Sequence, residues 1–400
     1  MRIRSLMAAL RGAGLVVIGL GAAASACAAE VLVTAEFAPS ALDPGRMVFR
    51  NTTPPGIYCS WRPEFCTEDG AYSVDVPMSW NKTYEYNGDV RKRFYLGLPA
   101  PRNVMLQNTT TGGEAEVRIT IATVSGQMTP GGVTNPVFTR TVRGGCSYVQ
   151  TVSYGSYIRF GWTVKNPEMP QPCNSQGDKP LSQPANYAMP WIGLGLLITA
   201  PSPLSLNDGV YEGELTYSAG GAGSDIDFGD DVTTEPITLK FRFTVSHQFQ
   251  VRFPSDNPQV HLAPEAGWAQ WTDQGRAPIR LYQELPFHLT SSMDFSMKLR
   301  CEHDAGNRCG IRNQTLGEVV PVDVDVTLPG MRNLRDGRPA QDTPLSPDDE
   351  QAPRFTPDGY LMQRRSTLRF TAGRDAVTEM LKAPGSHWEG NMTVVFDANP

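Results

Sequence analysis

The chain has 400 residues, with 35 Lys and Arg against 41 Asp and Glu, a formal net charge of −6. A mildly acidic chain without a broad basic face is a poor match for nucleic acid. Its 38 glycines and 33 prolines, set between short apolar segments, favour strands and turns over helices.

Arg2, Arg4 and Arg11 precede an apolar run from Ala13 to Ala26 and the small residues around Cys27 and Ala28. That order predicts a secretory signal over residues 1–29 and an exported protein. Its removal takes three arginines and no acid, moving the charge from −6 to −9, and leaves six of the seven cysteines. These lie as neighbours, and in an oxidising compartment sequential pairing is expected: Cys59 with Cys66, Cys146 with Cys173, Cys301 with Cys309. Bridges over such short loops pin local structure and do not replace a core.

Residues 31–37 alternate, with Val31, Val33, Ala35 and Phe37 on one side, and form either a first strand or a free arm. Strand-like segments follow at 73–80, 90–98, 114–124, 134–142, 156–164, 191–200, 209–218 and 237–245, each bounded by turn residues. The run from Trp191 to Ala200 is the longest apolar stretch after the signal. It is about half of what a bilayer requires and reads as a buried strand. Two strands separated only by Ser246, His247 and Gln248 mark a boundary between an N-terminal domain, 30–246, and a C-terminal domain, 247–400. The second domain continues with strands at 248–254, 277–290, 295–304, 319–330 and 366–372, a loop from Arg332 to Pro357, and one short helix over Asp375 to Lys382. The whole reads as all-β, in two immunoglobulin-like sandwiches.

All five histidines, from His247 onward, fall outside the first domain, so an imidazole-based site is excluded there. No HExxH, P-loop or dinucleotide fingerprint occurs, and no enzyme, metal or cofactor role is expected. Asp225, Asp227, Asp230 and Asp231 read as a solvated hairpin tip in preference to a calcium loop. Arg91, Arg93 and Tyr95 would share one face of a strand with Lys82 nearby, a basic and aromatic surface suited to an acidic glycan or to discouraging edge pairing. Among the aromatics between Cys146 and Cys173, Tyr154 and Tyr157 beside Gly155 are the exposed candidates. Tyr148, Phe160 and Trp162 read as core.

From His387 to Pro400, Trp388, Gly390, Met392, Val394 and Phe396 alternate on one face, and no later strand is present to pair with them. A sandwich ending on such a strand leaves an edge that something else must cover. The pattern Tyr211-Glu212-Gly213-x-Leu215-Thr216 returns 177 residues on as Trp388-Glu389-Gly390-x-Met392-Thr393, so the two domains share a plan.

With the segments at 288–306, 319–330 and 383–400 and a cysteine pair ahead of residues 76–98, the chain resembles the two-domain minor pilins of class 5 and cable-type fimbriae, the CblD-like pilus initiators and tip adhesins of Gram-negative bacteria. The resemblance implies an adhesin domain followed by a pilin domain that lacks its last strand. A periplasmic chaperone and then the next subunit, a major pilin, would fill the gap at an outer-membrane usher. Trp388, Gly390, Met392, Val394 and Phe396 would line the groove, and the Pro400 carboxylate would anchor the chaperone. It implies a minor subunit at the fibre tip, exposed on the cell surface and binding a host glycan or glycoprotein. Residues 217–231 are acidic and lack the arginine pair that the family carries there, while residues 31–45 look like a donor arm. The contrasting reading is a secreted β-sandwich carbohydrate-binding protein or glycoside-active enzyme.

Overall fold

The computed structural model describes residues 28–66, 71–130, 142–175 and 184–398. The signal segment up to Cys27, most of the expected strand at 134–142, and Pro400 lie outside them.

The first sandwich is built from β1 (Ala29–Phe37), β2 (Tyr72–Val76), β3 (Trp80–Tyr84), β4 (Phe94–Leu96), β5 (Arg102–Asn108), β6 (Glu114–Pro130), β7 (Cys146–Ser153), β8 (Ile158–Val164), β9 (Ala185–Thr199), β10 (Gly209–Tyr217) and β11 (Ile237–Val245). One sheet runs from β1 through β11, β10, β5, β6 and β8 to β7, and β9 joins β6 to both β2 and β3. Pro190 lies within β9, and pairing breaks around it: residues 185–189 face β3 and residues 192–196 face β2. A proline has no N–H for the ladder, so one strand serves two partners by changing over there. Alternation places Val117, Ile119, Leu106, Phe94, Phe160 and Trp162 in one core with Phe241 and Phe243. The segment at 31–37 is a first strand: β1 lies parallel to β11 within its own sandwich, with Val33, Ala35 and Phe37 buried.

The second sandwich comprises β12 (Phe249–Arg252), β13 (Leu281–Ser291), β14 (Phe295–Cys301), β15 (Cys309–Asn313), β16 (Val319–Thr327), β17 (Arg354–Pro357), β18 (Leu361–Ala372), β19 (Trp388–Glu389) and β20 (Met392–Asp397), with helix α1 (Arg374–Leu381) before β19. One sheet runs β12, β13, β18, β16, β15; the other includes β17, β14 and β20. Phe287, Phe295, Phe355, Val324 and Leu368 form the core between them. The expected loop from Arg332 to Pro357 contains β17 and two shorter paired strands. Too few residues alternate in any of them to show a period. Cys59–Cys66, Cys146–Cys173 and Cys301–Cys309 are bonded as expected.

The sequence repeat is also a structural one. Tyr211 and Glu212 of β10 pair with Asn108 and Gln107 of β5; Trp388 and Glu389 of β19 pair with Asn313 and Arg312 of β15. Each of these strands leads into a turn capped by its own asparagine. Asn108 Oδ1 accepts from the backbone N–H of Thr110 and Thr111, and Asn313 Oδ1 from those of Thr315 and Leu316. An Asx turn followed by glycine at positive φ, 72° at Gly112 and 77° at Gly317, closes both hairpins.

Candidate functional site: an open sheet edge

The expected strand from His387 to Pro400 is two strands. β19 pairs with β15 in one sheet, and β20 pairs along its length with β14 in the other. The change of sheet falls at Gly390 and Asn391, where Glu302 holds the crossing: its Oε2 accepts from both the backbone N–H and Nδ2 of Asn391, each at 2.8 Å. Gly390 contributes close packing here, since a Cβ on it would lie 2.9 Å from the carbonyl oxygen of Gly310. Trp388 packs apart from the others, against the small core of Leu281, Val320, Ala372 and Val377 beneath α1.

Met392, Val394 and Phe396 do share a face, and all three are half-buried. Among the described residues β20 pairs only with β14, and β12 only with β13, so each of the two sheets ends in an unpaired edge on this side. The edges face one another across an apolar furrow. The Phe396 ring lies 6.4 Å from Phe249, 5.8 Å from Phe287 and 6.2 Å from Phe295. Phe249 and Val251 of β12, and Phe253 just beyond it, are likewise only half-buried. Such a slot offers unpaired backbone donors and acceptors beside apolar pockets, which is what an incoming strand satisfies.

The basic run is arranged differently from the sequence expectation. Val90–Lys92 is a 3-10 turn started by Asp89, whose side chain accepts from the Arg91 N–H, so Arg91, Arg93 and Tyr95 do not share a strand face. The Arg91 guanidinium forks onto Asp227 at 2.8 and 3.0 Å and donates through Nε to Asp230 at 2.7 Å, and it lies 4.8 Å over the Tyr95 ring. Arg93 donates to the Gly88 carbonyl. Lys82 is buried, and its Nζ donates to the carbonyls of Arg91 and Phe228, both at 2.6 Å. Burial draws its pKa down to about 8. The acidic loop and the basic turn therefore neutralise one another. Arg102 holds Asp225 in the same way, and the described residues contain no cluster of three or more metal-ligating side chains. The sequence cannot show that pairing, because Arg91 and Asp227 meet only through the fold.

Tyr154 and Tyr157 sit at the tip of the β7–β8 hairpin with rings stacked at 4.8 Å, and Tyr154 is 47% exposed. The Arg159 guanidinium lies 5.6 and 5.4 Å from the two rings. Sequence reasoning missed Arg159, although it follows Tyr157 at a spacing of two and so shares its side of the strand.

No protein-family model and no curated protein matches the chain. Solved structures that align over most of its length include three. They are a chaperone–tip adhesin complex of CFA/I fimbriae, 10% identical over 93% of this chain and 97% of that one, TM-score 0.25; the CfaE adhesin of CFA/I enterotoxigenic E. coli, 9% identical over 92% of each, TM-score 0.26; and a chaperone–tip subunit pre-assembly complex of archaic chaperone-usher Csu pili of Acinetobacter baumannii, 10% identical over 92% and 98%, TM-score 0.21.

Proposed function

We propose that the chain is an adhesive subunit of a surface fibre, divided at Ser246–His247 into a binding domain and an assembly domain whose open edge is completed by a strand from another polypeptide. The observation that carries this reading is the furrow between β12 and β20, where Phe249, Val251, Met392, Val394 and Phe396 stay half-buried beside two unpaired edges. An exposed apolar edge is an aggregation hazard unless it is covered. A periplasmic chaperone would cover it first, and a neighbouring pilin afterwards, at an outer-membrane usher. By contrast, β1 lies within its own sandwich and is not a free arm in this state. For adhesion, the stacked pair Tyr154 and Tyr157 with Arg159 is the surface best suited to a sugar ring, through its flat apolar face and adjacent cation. Lys82 and Arg91 serve the fold instead.

The test is export of the chain with and without a pilus chaperone, followed by size exclusion. A soluble one-to-one complex and little free protein is expected. A stable monomer obtained without chaperone overturns the reading.

A further inference from the structure

The sheet of the second sandwich that runs β12, β13, β18, β16 turns Phe249, Val251, Phe287, Leu289, Leu368 and Val324 inward. Alternation therefore puts Arg252, His288 and Arg365 on its outer face, and all three are exposed. They are also neighbours across the sheet: Arg252 stands opposite His288, and His288 opposite Arg365. At the usual strand separation of about 5 Å this makes one row of two guanidiniums and an imidazole, about 10 Å long.

Four residues along the same strands the sheet treats charge in the opposite way. There Arg369 of β18 stands between Glu284 of β13 and Asp325 of β16. Its Nε and Nη2 donate to Glu284 at 3.1 and 2.9 Å, and Nη1 donates to Asp342 at 2.9 Å. In the Arg252 row no acid stands opposite any member, and among the described residues none of the three side chains has a hydrogen-bond or ion-pair partner. Cations on facing strands without acids between them work against a sheet, so the fold gains nothing from the row. Blunting the open edge does not explain it either. That requires charge on β12 alone, whereas His288 and Arg365 sit on strands with neighbours on both sides.

A guanidinium binds a carboxylate or a sulfate through two parallel N–H donors, and the imidazole between the two offers at least one more. Three donors in a line on a flat face suit a ligand whose anions repeat along one extended chain. The rows on either side carry Gln250 and Thr290, and Pro286 and Thr367. Met362, 57% exposed in the bulge near the start of β18, is one apolar side chain and not a face. A membrane surface takes an apolar face beside its cations, and a protein interface takes aromatic or aliphatic anchors at its centre. This row supplies neither.

We propose that the outer face of the second sandwich holds a separate binding site, apart from Tyr154, Tyr157 and Arg159, for an anionic polysaccharide whose sulfates or carboxylates sit on Arg252, His288 and Arg365. The chain as a whole is acidic, so these donors act at short range against the net charge.

The experiment measures binding of the full chain to immobilised heparin, to polygalacturonate and to neutral dextran as salt is raised, with the chaperone alone as a blank. The double variant Arg252→Gln, Arg365→Gln is compared with Arg335→Gln, Arg338→Gln, an equal charge change in the loop before β17 of the other sheet. The unaltered chain is expected to bind a charged polymer and not dextran, and the stronger of the two charged polymers identifies the anion. The first pair is expected to weaken binding about tenfold and to lower the slope of log Kd against log salt by about 1–2. Its Tm should stay within about 2 °C, as befits exposed positions. His288→Gln should weaken binding about two- to tenfold, as for one lost hydrogen bond. The loop pair should stay within about twofold of the unaltered chain at physiological salt, where screening confines its effect. Equal weakening by both pairs would mean attraction to net charge and would overturn the site. A fall in Tm in the first pair would assign the row to the fold instead. Failure to bind either charged polymer also overturns it, and retention on phosphatidylglycerol vesicles in that case would assign the row to a membrane surface.

Discussion

Gly390→Ala tests whether the last strands cross between sheets as closely as described. The added methyl would stand 2.9 Å from the Gly310 carbonyl oxygen and 3.2 Å from His303 Cδ2. The first contact is backbone in the middle of β15, which is itself paired to β16, so relief requires moving a strand and not a side-chain tip. Forcing one methyl into such a site costs about 1–3 kcal/mol. Losing the freedom of glycine in the unfolded chain returns about 0.4–1 kcal/mol. Crowding therefore wins by about 1–2 kcal/mol, which lowers Tm by about 2–8 °C for a unit of this size. Gly213→Ala supplies the internal reference. Its Cβ would meet Leu106 Cδ2 and the Met105 carbonyl oxygen, both at 2.7 Å, so an equal or larger loss is expected there. Calorimetry on the two variants, with the domain transitions resolved, measures both losses. An unchanged or raised Tm for Gly390→Ala would mean that β19 does not approach β15 so closely, and the correspondence with the first sandwich would be lost.

Lys82 gives a pH signature. With its pKa drawn down to about 8 by burial, the folded chain sheds a proton that the unfolded chain keeps up to its ordinary value near 10.5, so this residue makes stability rise with pH across that window. Tyr58, Tyr84 and Tyr217, pushed up to about 12 by burial, act in the opposite sense once unfolded tyrosine ionises near pH 10. Urea unfolding between pH 8 and 9.5 should therefore show a positive slope that disappears in Lys82→Met; equal slopes would place the ammonium in a more polar setting. His247 joins the two sandwiches through its ring, with Nδ1 at 3.1 Å from the Ser292 carbonyl, Nε2 at 2.9 Å from that of Leu206, and Phe37 packed at 5.4 Å. His247→Ala should broaden the distance distribution between the sandwiches in solution X-ray scattering while leaving each core folded, and an identical profile would remove the ring from that joint.

Alternation made most of the strands legible, because a half-buried sheet face imposes a period of two directly on the sequence, as in β6, β11 and β16. Sequential cysteine pairing was legible because two of the pairs lie seven and eight residues apart across a turn, which leaves Cys146 and Cys173, 27 residues apart, to each other. The strand expected at 90–98 begins only at Phe94, because Arg91 is drawn into a turn by Asp89 and held there by Asp227, a residue far away in sequence. The division of the last segment at Gly390 was visible only as a glycine inside an alternating run, and its meaning emerges when the same glycine in β10 is seen against Met105. Arg159 was overlooked because its role depends on two tyrosine rings stacking across a hairpin tip, which composition does not report.

The parallel seat of β1 has a consequence for the order in which the molecule becomes a protein. Ala29 rests opposite Ile237 and Phe37 opposite Val245, so β1 meets its neighbour only after about 200 further residues have followed. Until then a strand with Val33, Ala35 and Phe37 on one side has no neighbour to bury it. The first sandwich is thus exposed while it forms, and the interval of exposure is set by the speed at which the chain is delivered and not by the strength of any contact.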